Sequence, residues 1–238
     1  MAELGEVTRA LLDIARTLRD DRDLARRICR ACIDGLDVDG AAISLLTASS
    51  FRETLHASDA TAEMLEDLQF GLGEGACMDA ANSGRAVLVA DINEVTRTDR
   101  WPVYAAAVAD RTSARAVFAF PLQWGAINLG VLDLYRRAPG PLSGEQLRDA
   151  ISAADAATLM LLGLRTDPDP DTTGAWDRSW STRAEIHQAT GMIVAQLGIS
   201  PTDAFARLRA HAFSRGAALH EVAADVVARR LRLDGDDR

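Results

Sequence analysis

The sequence predicts an α+β fold: a central antiparallel sheet flanked by helices, followed by a small all-α unit of three helices. Two observations support this prediction. Strand-like runs alternate with segments of helical apolar spacing through the first two thirds of the chain, and everything after residue 176 has helical spacing. An acidic, proline-containing segment over residues 165–173 separates the two parts. We therefore expect a domain over residues 6–163, a linker over 164–178 and a three-helix domain over 179–233.

The first domain opens with apolar residues at helical spacing from Glu6 to Leu36, interrupted by a cluster of aspartates. Two strand-like runs follow, Gly40–Leu46 and Phe51–Ala57, with turn-forming residues between them. Helical spacing returns over Thr61–Phe70. A glycine-rich loop, Gly71–Cys77, comes next. The order of these segments favours a sheet covered by helices.

The second half of this domain contains the strongest strand signals. A short apolar strand is expected over Ala86–Ala90. Ala114–Leu122 and Ile127–Tyr135 are joined by four residues and predict an antiparallel hairpin. A helix then runs from Ser143, a plausible N-cap, to about Leu164.

The C-terminal part predicts three short amphipathic helices. The first begins near Ser179 and ends before Gly198, a residue suited to a left-handed helix exit. Ser200 and Pro201 then provide an N-cap and a first helical position for the second helix, and the third starts near Leu219. A unit of this size is too small to enclose an active site, so we expect it to bind a partner.

Charge is distributed unevenly along the chain. The net charge is −9, yet residues 183–233 contain seven arginines and only four acidic residues. A basic end on an acidic body is compatible with phosphate contact at that end. The chain has no apolar run of 18 residues and begins with an acidic segment without a signal sequence, so we expect a cytoplasmic protein without a membrane span. Its odd set of three cysteines does not suggest a disulfide scaffold.

The C-terminal helices carry a family resemblance. The segments Arg183–Ser200, Asp203–Ala212 and Leu219–Val227 together resemble the ANTAR family of RNA-binding antiterminators. The resemblance covers about fifty residues and all three helices. It implies binding to paired hairpins with small exposed loops in nascent transcripts, which would prevent a competing terminator hairpin from forming. Reading loops is the usual way in which proteins recognise RNA sequence.

Helical geometry predicts an outward stripe of Arg183, His187 and Thr190 on the first of these helices. The family usually has a lysine where this chain has Thr190, so we expect weaker phosphate contact from this stripe. The expected RNA-contacting residues are Arg183, His187, Thr190, Arg207, Arg209 and Arg215.

The first domain resembles a GAF domain. The resemblance rests on the glycine loop Gly71–Cys77, the strand that begins at Val87, the Arg100–Tyr104 segment and the closing strand Ile127–Tyr135. It implies a domain that senses a small-molecule or redox signal and thereby governs RNA binding. The implied pocket lies between the sheet and residues 71–91. Candidates for its wall are Phe51, Phe70, Cys77, Met78, Trp101, Tyr104, Phe118 and Phe120.

No cofactor, metal site or catalytic residue is expected. His56 is the only histidine of the first domain, so a bis-histidine haem site is impossible there. Cys29 and Cys32 form a single C-x-x-C on a predicted helix, which is weak evidence for zinc. Three alternatives stay open. The first is a DNA-binding regulator, since three short helices can also form a helix-turn-helix. The others are a thiol redox enzyme that uses the three cysteines, and a protein-interaction or dimerisation module without a nucleic-acid role. We also expect a homodimer, with the helices Ser143–Leu164 and Trp176–Leu197 as its interface.

Overall fold

The computed structural model describes residues 7, 10, 21–46, 52–98, 100–125, 127–165 and 180–233. Two compact units make up the chain, Met1–Pro168 and Asp169–Arg238. The division falls within the segment that the sequence predicts to be a linker.

The first unit consists of a sheet and the helices that cover it. Its described elements are α1 (Asp21–Leu36), β1 (Gly40–Leu46), β2 (Arg52–Ala57), α2 (Ala60–Leu72), α3 (Ala76–Ser83), β3 (Val87–Val89), α4 (Ile92–Val95), α5 (Pro102–Arg111), β4 (Ala116–Trp124), β5 (Ile127–Arg136) and α6 (Gly144–Arg165). The five strands are ordered β2-β1-β5-β4-β3, and all neighbours are antiparallel. The predicted α+β fold with a central antiparallel sheet is confirmed.

The centre of the sheet depends on a close approach between β1 and β5. Gly130 on β5 lies opposite Leu45 on β1. A Cβ atom at Gly130 would collide with the backbone carbonyl oxygen of Ser44, so only glycine fits there. The predicted hairpin of β4 and β5 is also confirmed, with Phe118 opposite Leu134.

Each face of the sheet has its own apolar core, because successive side chains of a strand point to opposite faces. Phe118 and Phe120 of β4 pack on the face that α1 and α6 cover. Val117 and Ala119, which alternate with them, pack on the other face, with α2, α3 and α5. That second face contains the candidate pocket.

Three short helices between residues 76 and 111 of this unit were not predicted. Helix α3 begins directly after Gly75, whose φ of 128° is inaccessible to most side chains. Helix α5 begins after Trp101, which has a left-handed φ of 51°, and Pro102 occupies its first turn. Helices this short give too few turns for apolar periodicity to show.

The second unit is the predicted bundle of three helices: α7 (Trp180–Leu197), α8 (Pro201–Ser214) and α9 (Leu219–Val227). The Ser200 hydroxyl accepts a hydrogen bond from the backbone N–H of Asp203 at 3.1 Å and so caps α8. Gly198 has a φ of 65°, which allows the left-handed exit from α7. The buried core contains Ile186, Ala189, Ile193, Ala204, Leu208, Ala212, Val222, Ala223 and Val226.

Candidate ligand pocket and nucleic-acid interface

A small pocket lies in the first unit, between the sheet and helices α2, α3 and α5. Its wall is formed by Ala42, Ala62, Leu65, Glu66, Gln69, Ala76, Tyr104, Val117, Asp133, Leu134 and Tyr135. The cavity volume is about 10 Å³, room for about one water molecule. Most of the wall is apolar, and two carboxylates and one amide supply its polar chemistry.

Two residues of α2 organise the polar side of the pocket. Glu66 and Gln69 lie three residues apart on the buried face of the helix, and both are almost inaccessible to solvent. The Thr54 hydroxyl donates to Glu66 Oε2 at 3.2 Å, and the Gln69 amide donates to Glu66 Oε1 at 3.4 Å. Neutral donors thus hold this buried carboxylate in place, which offsets part of the cost of burying it.

Gln69 also connects α2 to the glycine loop. Its Oε1 accepts a hydrogen bond from the backbone N–H of Cys77 at 2.8 Å, in the first turn of α3. A Cβ atom at Gly75 would lie 2.6 Å from this same Oε1. The loop therefore needs glycine at position 75 both for its backbone conformation and for the approach of the Gln69 side chain.

Cys77 brings a thiol next to the two carboxylates. One ligand atom each from Glu66, Cys77 and Asp133 lies within 4.8 Å of the other two. The Cys77 sulfur is fully buried and lies 3.7 Å from the Ser44 hydroxyl. Within the described part of the chain, these three residues are the ones placed to hold a small cation.

Tyr135 also lines the pocket. Its hydroxyl donates to Asp59 Oδ2 at 2.9 Å, and Asp59 also caps α2 by accepting from the Ala62 N–H at 2.8 Å. Burial raises the pKa of the Tyr135 phenol above its ordinary value of 10.0, and the hydrogen bond to Asp59 acts in the same direction. The tyrosine is therefore a neutral donor at physiological pH.

The predicted wall residues have different positions in the structure. Tyr104 lines the pocket, and Cys77 lies against its carboxylates. Trp101 is buried next to Tyr104, with the two rings edge-on and their centroids 6.1 Å apart. Phe70 and Met78 are half-buried and do not belong to the wall. Phe51 lies outside the described residues.

The expectation for Phe118 and Phe120 is wrong. Both side chains are buried on the opposite face of the sheet, against α1 and α6. The alternation of a β-strand decides this: Val117 lines the pocket, so its neighbour Phe118 must point away from it.

Glu66, Gln69 and Asp133 were not predicted as site residues. Asp133 did carry a signal, because an aspartate inside the apolar strand Ile127–Tyr135 is unusual in a core position. Glu66 and Gln69 resembled the solvated side of a helix, and only the packing of α2 shows that they are buried.

The three cysteines do not form one set. Cys29 and Cys32 are buried in α1, in the core on one face of the sheet, and Cys77 is buried in the core on the other face. Burial raises the pKa of the Cys29 thiol well above its ordinary value and that of the Cys32 thiol to about 12. Neither α1 cysteine is an activated nucleophile.

The second unit presents arginines on α8. Arg207 is exposed, and so is Arg215 at the C-cap of the helix. Arg209 is half-buried, with its guanidinium carbon 5.5 Å from the centroid of the Phe205 ring. Of Arg183 and His187 only the helical backbone is described.

The predicted outward position of Thr190 is wrong. Thr190 is only 3% exposed and shares the buried stripe of α7 with Ile186 and Ile193. Its hydroxyl donates to the carbonyl oxygen of Ile186 at 2.7 Å. This local bond satisfies the hydroxyl within its own helix, which allows threonine to be buried at this position.

Comparison with known protein families assigns a domain family to each of the two units. A GAF domain model matches residues 4–162. The chain belongs to the GAF domain family. An ANTAR domain model matches residues 177–227, the three helices of the second unit. The architecture is that of a regulatory protein, with a GAF domain at its N-terminus and an ANTAR domain at its C-terminus. No curated protein matches the chain significantly.

Solved structures support the fold of the GAF domain. The GAF domain of an Acinetobacter phosphoenolpyruvate-protein phosphotransferase is 13% identical, with a TM-score of 0.54 over 68% of this chain and 95% of that one. Its counterpart from Coxiella burnetii is 11% identical, with a TM-score of 0.54 over 67% and 93%. A free methionine-R-sulfoxide reductase from Neisseria meningitidis is 14% identical, with a TM-score of 0.50 over 68% and 89%. At these identities the likeness concerns the fold alone.

Among the described residues, none of the helices combines the length and the apolar character that crossing a bilayer requires.

Proposed function

We propose that this chain is a signal-responsive transcription antitermination regulator. Its ANTAR domain binds paired hairpins in nascent RNA, and its GAF domain controls that binding. The observation that carries the proposal is the ANTAR match over residues 177–227, on a compact unit that presents arginines to solvent. Cations that contact phosphate supply most of the affinity of such a surface for RNA.

Arg207 and Arg215 are the best-supported phosphate contacts. Both are exposed, and the one acidic residue of α8, Asp203, is at its N-terminus, where its carboxylate accepts a hydrogen bond from the Ser200 hydroxyl at 2.7 Å. Arg183 and His187 remain proposed contacts because of their place in the family pattern. Thr190 is removed from the proposed contact set, since it is buried.

The proposed signal pocket is the cavity bordered by Glu66, Gln69 and Asp133. Two carboxylates and a buried thiol suit a small, positively charged or hydrogen-bond-donating ligand better than an anion. A ligand larger than a water molecule has to widen the cavity. Binding can therefore favour a second conformation of the GAF domain, in proportion to its differential affinity for the two states.

A homodimer through α6 would match a target of two hairpins. The outer side of α6 exposes Ile151 and Leu159, at 44% and 52%. Arg148 and Asp155 are exposed on the same side. Two antiparallel copies of α6 can place Arg148 of each opposite Asp155 of the other, while the apolar side chains pack between them.

RNA binding by the full chain tests the proposal. We expect gel-shift titrations to show a preference for a two-hairpin RNA over a DNA duplex of equal charge. The variants Arg207→Gln and Arg215→Gln should each reduce the slope of log affinity against log salt by roughly 0.7–0.9. Arg230→Gln is the matched control, because Arg230 is already paired with Asp225 at 2.7 Å. A preference for duplex DNA would favour the DNA-binding alternative, and no binding to either would refute the proposal.

Sedimentation tests the dimer. The wild-type chain should sediment as a dimer, and the double variant Ile151→Ser, Leu159→Ser as a monomer. A wild-type monomer that binds the two-hairpin RNA tightly would contradict the proposed assembly.

A further inference from the structure

Among the described residues, Phe213 is the most exposed large apolar side chain, at 64%. It lies in the last turn of α8, in the ANTAR domain. A phenylalanine left in water forgoes the stabilisation that burial gives. The folding of the three helices does not explain its position, because the core of this unit is formed by other residues.

Towards the N-terminus of α8, the exposed residues in line with Phe213 are small and apolar. At about 100° per residue, Ala206, Ala210 and Phe213 lie within about 60° of one another around the α8 axis. All three are exposed, and we call them the α8 outer strip. Because the two alanines carry only methyl groups, the strip has room for a planar group beside the Phe213 ring.

Arginines flank this strip on both sides. Around the α8 axis, helical geometry places Arg209 about 70° from the middle of the strip on one side, and Arg207 about 90° from it on the other. The Arg209 guanidinium packs on the ring of Phe205, which comes one turn before and lies about 110° from the middle of the strip. Arg207 is exposed and is therefore the cation beside the strip that is open to a ligand. No acidic residue occurs between Ala204 and Ser214.

We infer that the α8 outer strip binds an unpaired RNA base, which stacks on Phe213 while an adjoining phosphate contacts Arg207. Unpaired bases in RNA loops stack on aromatic side chains and arginine planes, and their backbone requires cations nearby. Two alanines and one phenylalanine are too small an apolar area for a protein interface, which needs about 800 Å² per partner. The inference rests on the proposed RNA binding and specifies which residue contacts a base.

The test uses the full chain and a two-hairpin RNA whose loops are selected from a randomised pool by binding to the wild type. Phe213→Ala should weaken binding by about 10-fold to 100-fold, since stacking on one aromatic side chain has an effect of this size. Phe213→Leu should bind as weakly as Phe213→Ala, and Phe213→Trp should retain affinity. The slope of log affinity against log salt should stay unchanged in all three, because no phosphate contact is removed.

A spectroscopic measurement identifies the stacking itself. With 2-aminopurine at each loop position in turn, the wild type should quench its fluorescence at one position. Phe213→Ala should abolish that quenching and Phe213→Trp should preserve it. Trp124→Ala is the matched control, because Trp124 is 55% exposed in the β4–β5 hairpin, and it should alter neither affinity nor quenching.

The outcomes separate this inference from the function on which it rests. If no RNA is selected by the wild type, the proposed function fails and the inference with it. If the wild type binds RNA and Phe213→Ala binds equally well, only the inference is overturned. It is also overturned if Phe213→Leu keeps wild-type affinity, or if Phe213→Ala changes the sedimentation of the chain and leaves RNA binding intact, which would indicate a protein contact.

Discussion

Gln69 Oε1 and the backbone N–H of Cys77 form a buried hydrogen bond of 2.8 Å between the last turn of one GAF helix and the start of the next. The bond fixes the glycine loop against α2 and holds the Cys77 thiol next to Glu66 and Asp133. It thus couples the conformation of the loop to the polar wall of the proposed signal pocket.

Removing the Gln69 side chain should destabilise the GAF domain. In Gln69→Ala the buried Cys77 N–H loses its acceptor, so we expect the free energy of unfolding to fall by about 1–3 kcal/mol. Urea denaturation followed by circular dichroism measures this. The control is Asn82→Ala, at an exposed position of α3, for which we expect a change within about 0.5 kcal/mol. Equal midpoints for the two variants would contradict the role of Gln69.

Restoring the family's lysine at position 190 should destabilise the ANTAR domain. Thr190 is buried, so Thr190→Lys must either bury an ammonium group or open the packing of α7. We expect thermal melting of the ANTAR domain to occur at a clearly lower temperature. Thr190→Val, which keeps the volume and loses only the bond to Ile186, should cost about 1 kcal/mol. Unchanged melting of Thr190→Lys, with tighter RNA binding, would show that position 190 faces solvent.

Alanine substitutions at two glycines of the ANTAR domain should have opposite effects on its stability. Gly191 lies inside α7, and a Cβ atom there would meet nothing within 4 Å, so Gly191→Ala should stabilise the domain by about 0.5–1 kcal/mol. Gly198 has a φ of 65° at the end of the same helix, so Gly198→Ala should destabilise it by about 1 kcal/mol. Thermal melting measures both. A shift of the same sign in the two variants would be inconsistent with this geometry.

His56 should make the GAF domain less stable in acid. Burial lowers the pKa of this half-buried β2 histidine below its ordinary value of 6.5, and Arg26 acts in the same direction. Below pH 6.5 the unfolded chain therefore binds a proton that the folded chain resists, and stability falls as the pH drops through the folded pKa. Urea midpoints measured at intervals of about one pH unit between pH 7.5 and pH 5 test this prediction. An NMR titration of His56 over the same range measures its pKa in the folded chain. His56→Gln should show a smaller decline than the exposed control His220→Gln.

The three native thiols should react slowly with a thiol reagent in the folded chain. Cys29, Cys32 and Cys77 are all completely buried, and burial raises the pKa of the two α1 thiols. All three should react in denaturant. The added thiol of an Ala138→Cys variant, at an exposed position, gives the reference rate. If Cys77 reacts as fast as this reference in the native state, a redox signal becomes the better account of the GAF pocket.

The sequence alone could not place individual side chains reliably. Phe118 has an aromatic side chain of the kind that often lines a pocket, but the alternation of side chains along β4 places it on the other face of the sheet. Thr190 has the polarity of a surface residue, and a hydroxyl bond inside its own helix lets it be buried. Glu66 has an acidic side chain, and the neutral donors of Thr54 and Gln69 hold it in the core. In each case the deciding contact comes from packing or from a bond that the residue type does not reveal.

The sequence by itself determined the fold class, the order of the two domains and their families, because apolar periodicity, turn residues and family motifs are local in the chain. Tertiary structure alone decided which polar residues converge in the GAF pocket. Glu66, Cys77 and Asp133 come from α2, α3 and β5, and only the packing of these helices on the second face of the sheet brings them together. It also decided that Phe213 stays exposed between two arginines, since the burial of a helix face depends on what packs against it.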